Sequence, residues 1–168
     1  MSVRDYRKKY SDLIESLQSR VIEHYGNSLV SLVFFGSVAR GLFRPDSDID
    51  LLIIAENLPR GRVPRVLDFQ QGVEARFEEM FRGLRREGIH PLLSPIIKTP
   101  EEVRLGSPLF LDMVEDARIS YDRGHFFRKY LEDLEAKLRR MGARKVRFKG
   151  GSYWLLKPDY RAGDIIEL

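Results

Sequence analysis

Two short segments carry residue types that together could hold a phosphate group and a metal ion. The first is Gly36-Ser37, which follows the apolar run SLVSLVFF, and the second is the pair Asp48 and Asp50, at the start of the run DIDLLIIA. A strand that ends in glycine and feeds a short helix presents free backbone N–H groups, and glycine lets a phosphate approach them closely. The Ser37 hydroxyl adds a further donor. We therefore expect a phosphate-binding turn at Gly36 and Ser37.

The two aspartates lie two residues apart, so on a strand both side chains occupy one face. Two neighbouring carboxylates repel each other unless a cation lies between them, and Mg²⁺ prefers carboxylate and phosphate oxygens. Two such ions would activate an acceptor hydroxyl and stabilise a leaving pyrophosphate in an in-line displacement. Either segment alone is commonly structural, as a tight turn or as surface carboxylates at a strand end. Their combination between two apolar runs favours the chemical interpretation.

The elements that position these residues follow from hydrophobic periodicity and from Gly and Pro punctuation. Thr99-Pro100-Glu101-Glu102 has the residues of a helix capping box, and the tail VRFKGGSYWLL is typical of a β-hairpin. Pro91 and Pro95 make the strand that contains them irregular or an edge strand. The pattern indicates an α+β protein, with strands at 28–35, 48–55, 89–98 and 118–121 and helices at 3–25, 66–84, 108–116 and 124–141.

Composition excludes several classes of protein and site. The 168 residues include no cysteine, so disulfides and thiolate metal sites are excluded, and three scattered histidines leave little room for a histidine metal cluster. No apolar run approaches the roughly 20 residues of a membrane-spanning helix. The start, MSVRDYRKKYSDLIESL, has no signal-peptide apolar block. These features predict a soluble, cytoplasmic protein.

Positive charge is concentrated near the end of the chain. Residues 139–161 hold eight basic and one acidic side chain, a charge of +7 against +4 for the whole chain. A basic tail on a mildly acidic body suggests a phosphate-rich partner such as nucleic acid, with Tyr153 and Trp154 beside Lys149 and Lys157 stacking on a base. The alternative is a solvated hairpin whose aromatic side chains pack against a helix.

The composite GSVARG…PDSDIDLLI resembles the signature of the polymerase-beta-type nucleotidyltransferase superfamily, especially its minimal branch. That signature has Gly-Ser, then an Arg-Gly pair, then Ser-Asp-x-Asp on the next strand. The resemblance covers about 13–99 and is carried by Gly36, Ser37, Arg40, Gly41, Ser47, Asp48 and Asp50. It implies a polymerase-beta-like core, a small mixed sheet flanked by helices, with a C-terminal helix and β-hairpin added. We expect a nucleotidyltransferase domain over 1–122, with 123–168 packed on the same domain.

The resemblance also implies Mg²⁺- or Mn²⁺-dependent transfer of a nucleoside monophosphate from a nucleoside triphosphate, expected to be ATP, to a hydroxyl group. Asp48 and Asp50 would be the catalytic metal ligands, while Gly36 and Ser37 would hold the β- and γ-phosphates and Arg40 would support the loop. The family usually supplies a third carboxylate from the next long strand. The corresponding run HPLLSPIIK has none, and Ser94 or a neighbour occupies that position. His90 is a weak substitute as a base, and Glu102 is already explained by the capping box.

Other functions remain open at this stage. In many minimal nucleotidyltransferases the partner is a helical protein of the HEPN type, so a nucleotide-binding antitoxin is one alternative. An RNA- or DNA-binding protein with a degenerate catalytic site is another. The apolar face of 66–84 is expected to be core, and part of it could instead pair with a second copy in a homo-oligomer. The sequence does not indicate the acceptor.

Overall fold

A four-stranded mixed sheet forms the centre of the protein in a computed structural model that describes residues 3–159. Its strands are β1 (Leu29–Phe35), β2 (Ile49–Ala55), β3 (Leu93–Lys98) and β4 (Arg118–Asp122), in the spatial order β3-β2-β1-β4. Strand β1 is antiparallel to β2 and β4, while β3 runs parallel to β2. The expected α+β class with a small mixed sheet is confirmed, and so is the position of the proline-containing strand at an edge.

Helices cover both faces of this sheet. The helices are α1 (Val3–Tyr25), α2 (Gly36–Ala39), α3 (Arg62–Gly72), α4 (Glu78–Arg86), α5 (Pro100–Arg104), α6 (Leu109–Asp116) and α7 (Phe126–Arg140). One core contains side chains of α1, α3 and α4, and the other contains side chains of α5, α6 and α7. In the part of the chain that the structure describes, no helix is long and apolar enough to cross a membrane.

Strand β2 is buried on both faces along most of its length, and Asp50, near its start, is its one polar residue. Leu51 and Ile53 pack into the core under α1, whereas Leu52 and Ile54 pack into the core under α7. Such two-sided burial explains why the strand is an almost unbroken apolar run. Because side chains alternate, Asp50 lies on the α7 side, where the apolar part of the strand ends.

The prediction of one continuous helix over 66–84 is wrong, because the helix is interrupted after Gly72. The Arg20 guanidinium donates two hydrogen bonds of 2.9 and 2.7 Å to the Gly72 carbonyl, which removes that carbonyl from the helical ladder. A Cβ at Gly72 would lie 2.1 Å from the His24 ring, so only glycine allows α1 to pack this closely. A short 3₁₀ turn, Glu74–Phe77, then connects α3 to α4.

The predicted capping box at Thr99 is present, and its glutamate has a second partner. The Glu102 carboxylate accepts the Thr99 N–H at 2.9 Å and also pairs with Arg65, whose Nη1 lies 2.6 Å away. Arg65 is 8% exposed, and it also donates to the carbonyls of Pro59 and Ile97. This guanidinium therefore joins the start of α3 to the end of β3.

The C-terminal hairpin, β5 (Arg144–Phe148) and β6 (Gly151–Leu155), is present as predicted and docks on α6. Lys145 Nζ lies 2.8 Å from the Asp112 carboxylate, and Trp154 donates its indole N–H to the same carboxylate at 3.0 Å. Helix α7 contributes to the second core. The division of the chain at residue 122 stays a prediction, and the last residues of the basic tail, 160–168, lie outside the described residues.

We expect Arg65→Met to lower the free energy of unfolding by about 3 kcal/mol, because it leaves Glu102 and two carbonyls without their shared donor. Chemical denaturation measures the loss. Arg60→Met, at an exposed position in the preceding loop, is the control and should change the value by less than about 0.5 kcal/mol. Equal losses in the two variants would contradict the structural role of Arg65.

Candidate active site

The predicted phosphate-binding turn and the predicted metal-binding strand touch at Gly36 and Asp50. Gly36 has a φ of +69°, and a Cβ added there would lie 2.2 Å from Oδ2 of Asp50. Glycine is therefore required both for the backbone conformation and for the close approach of the carboxylate. Helix α2 begins at this residue, and the first N–H groups of a helix have no acceptor within it. The turn thus presents backbone donors directly beside a carboxylate.

Asp50 is the second residue of β2, and Asp48 directly precedes the strand, close enough for its charge to act on Asp50. Asp48 is exposed and Asp50 is half-buried. Burial raises the pKa of Asp50, and the negative charge of Asp48 raises it further, while a hydrogen bond from Ser94 and the charge of Arg40 oppose the shift. The two carboxylates are hard oxygen donors of the kind that fits a divalent cation.

Ser94 stands beside Asp50 on the neighbouring strand. The parallel register pairs Asp50 with Ser94, so the two side chains project from the same face. The resemblance to the superfamily implies a third carboxylate on this strand, whereas the side chain beside Asp50 is the hydroxyl of Ser94. Across residues 3–159, no group of three or more His, Asp or Glu side chains is arranged to hold a metal ion.

Arg40 lies at the rim of the site, against α6. Its guanidinium is 3.4 Å from the Asp116 carboxylate, and its positive charge opposes the rise in the pKa of Asp50 that burial causes. The side chain is exposed. Arg40 therefore lies next to the turn, and its positive charge acts on Asp50.

Tyr10 is a positioning residue that periodicity identified only as part of an apolar helix face. Its hydroxyl donates to the Ser47 carbonyl at 2.8 Å, and its ring packs on Phe43 with centroids 4.9 Å apart. Burial raises the pKa of Tyr10 to about 12, so the hydroxyl remains a donor. The Ser47 hydroxyl in turn accepts the Arg44 N–H at 2.9 Å. Helix α1 thereby holds the loop that leads into Asp48.

The remaining candidates separate into packing residues and surface residues. Trp154 is bound to Asp112, which supports the packing interpretation for this side chain. Tyr153 is 55% exposed on the opposite face of the hairpin. His90 is exposed and uses its backbone N–H to bond the Pro45 carbonyl at 2.7 Å. Lys98 lies at the far end of β3 from Ser94.

Comparison with known proteins agrees with this geometry. The family model for the nucleotidyltransferase domain matches residues 11–149. A relative from Methanocaldococcus jannaschii, named "Putative protein adenylyltransferase MJ1305", is 32% identical over 143 residues, which cover 80% of this chain and 86% of that protein.

Two solved structures are more distant. A toxin–antitoxin complex with AMP-PNP contains a chain that is 15% identical, with a TM-score of 0.44, over 74% of this chain and 92% of that one. A nucleotidyltransferase from Sulfolobus solfataricus, itself titled putative, is 22% identical with a TM-score of 0.41, over 70% and 86% of the two chains. The assignment therefore rests on the family model and on the Methanocaldococcus relative. With the glycine–serine turn packed against the aspartate pair, these matches show that the chain belongs to the nucleotidyltransferase domain family and is a transferase of that family.

Proposed function

We propose that this protein transfers AMP from ATP to a hydroxyl group on another protein, with Mg²⁺ bound at Asp48 and Asp50. The observation that carries the proposal is the contact between Gly36 and the Asp50 carboxylate, because it makes the phosphate-binding turn and the metal-binding pair one site. ATP and a protein acceptor are proposed from the name of the Methanocaldococcus relative. Manganese has the same preference for oxygen ligands and is a suitable substitute.

The reaction is a displacement at the α-phosphorus of ATP. The acceptor oxygen forms a bond to this phosphorus, the bond to the oxygen that bridges the α- and β-phosphates breaks, pyrophosphate leaves with that electron pair, and the hydroxyl proton passes to solvent. The backbone donors of Gly36 and Ser37 hold the β- and γ-phosphates, and Arg40 supports the turn. A bound Mg²⁺ supplies charge neutralisation for the phosphates and for the aspartate pair.

Ser94 makes this a two-carboxylate version of the site. A hydroxyl beside Asp50 can donate a hydrogen bond, but at neutral pH it neither holds a cation strongly nor accepts the acceptor's proton. We therefore expect slow turnover, with the nucleotide bound more effectively than it is consumed. A HEPN-type partner that serves as the acceptor, and a cytoplasmic location, remain predictions from the sequence.

Nucleic acid is a second candidate ligand, favoured by one surface. The outer face of the C-terminal hairpin exposes Phe148 and Tyr153, whose ring centroids are 6.3 Å apart, and strand alternation puts Arg144 on the same face. Exposed aromatic rings among cations are typical of single-strand binding surfaces. Binding there would weaken steeply with salt and would not need the aspartates.

Calorimetric titration of ATP with and without Mg²⁺ tests the principal proposal. We expect binding that requires Mg²⁺ and falls at least about tenfold in Asp48→Asn/Asp50→Asn, because the neutral amides no longer attract the cation. Asp12→Asn/Asp133→Asn, at two exposed helix positions, is the control for net charge. Equal affinity in the two double variants would refute a metal site at the aspartate pair.

Gly36→Ala should abolish Mg²⁺-dependent ATP binding at a modest cost in stability. The added methyl group would occupy the space of the Asp50 carboxylate. Gly88→Ala is the matched control, since Gly88 has a φ of +76° and no atom within 4 Å of an added Cβ. Both variants should lose about 1 kcal/mol from backbone strain. Retention of ATP binding in Gly36→Ala would contradict the proposed coupling of turn and carboxylate.

Ser94→Asp should make the stability of the protein more dependent on Mg²⁺. Without Mg²⁺, a third carboxylate beside Asp50 adds electrostatic repulsion, and with Mg²⁺ it adds a metal ligand. The Mg²⁺-induced rise in Tm should therefore exceed that of the wild type. AMP transfer should also become faster. Ser94→Asn, similar in size and neutral, is the control; an identical Mg²⁺ response in both variants would show that residue 94 does not face the metal.

A further inference from the structure

The order of the strands determines the side from which the acceptor approaches. On the proposed function, on which this inference rests, the leaving phosphates lie over the turn that follows β1, and the aspartate pair lies at the start of β2. Attacking and leaving oxygens are roughly in line in phosphoryl transfer. Because β3 lies on the side of β2 opposite to β1, the acceptor must approach over β3, past Ser94.

Strand β3 forms one edge of the sheet, and part of its backbone faces outward. The Ile49 N–H donates to the Leu92 carbonyl at 2.8 Å, and the parallel register then turns Ser94, Ile96 and Lys98 toward β2. Leu93, Pro95 and Ile97 consequently direct their backbone groups away from the sheet. The Ile97 carbonyl is taken by Arg65 at 3.2 Å. The open stretch is therefore Leu93–Pro95, next to Ser94.

A groove follows this edge from Leu93 to Lys98, between the strand and α3. Its two parts have volumes of about 430 and 270 Å³ and share Arg62, Val66 and Pro95 as lining residues. The part near Ser94 also contains Gln70 and Glu74, and the other part contains Gly61 and Lys98. We call this feature the β3 groove.

The charges of the β3 groove are asymmetric. At its far end, Arg65 is neutralised by Glu102. Arg62 and Lys98 make no ion pair within residues 3–159 and leave that end positive. Near Ser94 the groove contains the carboxylate of Glu74. A polyanion such as a nucleic acid strand would be repelled beside the site, and it lacks the alternating N–H and C=O groups that pair with an open strand edge.

We propose that the acceptor is an extended peptide segment that pairs with the open edge of β3, with its hydroxyl side chain beside Ser94. Strand periodicity then puts the residue four positions away on the same face, beside Lys98. This second residue is acidic, since it meets Lys98 and lies close to Arg62. Pairing with the N–H and C=O groups of Leu93 and with the C=O group of Pro95, which has no N–H to donate, supplies affinity, and the charge contact sets the register of the hydroxyl.

Short synthetic peptides and ATP labelled at its α-phosphate test this inference. Each peptide has one Ser, Thr or Tyr and either Glu or Lys four residues before or after it. We expect the wild type to label a Glu peptide with a KM about tenfold below that of its Lys counterpart. Arg62→Glu/Lys98→Glu should reverse the preference and leave the affinity for MgATP unchanged. Arg60→Glu/Arg118→Glu, with one site in the preceding loop and one on the opposite edge strand, should behave as the wild type.

The outcomes separate this inference from the proposed function. If the wild type binds MgATP but labels no peptide, or if the charge reversal leaves the peptide preference unchanged, the β3 groove is not the acceptor site. Labelling of single-stranded RNA that peptides do not compete with would overturn it equally. Failure of the wild type to bind MgATP would instead refute the proposed function.

Discussion

The close packing of the Gly36 backbone against the Asp50 carboxylate is the constraint on which the rest of the site depends. It requires the antiparallel register that pairs Phe35 with Asp50 at the end of the two central strands. A slip of one residue would turn Asp50 into the opposite core and bring an apolar side chain to the turn. The burial of four consecutive residues, 51–54, between two layers of helices excludes that slip, because it would bury the carboxylate without a partner.

The surrounding helices make hydrogen bonds and ion pairs with the parts of the site that lie outside the sheet. Helix α1 fixes the loop before Asp48 through the Tyr10 hydroxyl, and α6 holds Arg40 at the rim through Asp116. The C-terminal hairpin attaches to the same helix through Lys145 and Trp154. Helices α1 and α6, distant from the motif in the chain, therefore each make a polar contact with it, and the hairpin makes its contacts with α6.

Ser94 and the edge position of β3 shape the side of the site that lies away from the glycine–serine turn. On the proposed function, a serine in place of a carboxylate would weaken metal binding and proton transfer. Pro95 and Arg65 together block part of the edge, which limits unspecific pairing with other strands. What remains open is a short stretch beside the aspartates. A site of this kind is suited to acting on a bound partner segment that it holds in register, because binding can compensate for weak chemistry.

The sequence by itself determined the motif, the strands that carry it and most of the helices, because these depend on local periodicity and on turn residues. Gly36, Asp48 and Asp50 could be identified from the types and spacing of neighbours along the chain, and the lack of an acidic residue in the β3 strand was visible in the same way. The broken helix at Gly72 could not be foreseen, since Arg20 and His24 reach it from another helix. The roles of Tyr10 and Arg65, and the β3 groove, were also decided by tertiary structure. These features arise where segments far apart in the sequence come into contact. The types and spacing of residues within one segment do not determine which residue of another segment will pair with a buried polar group.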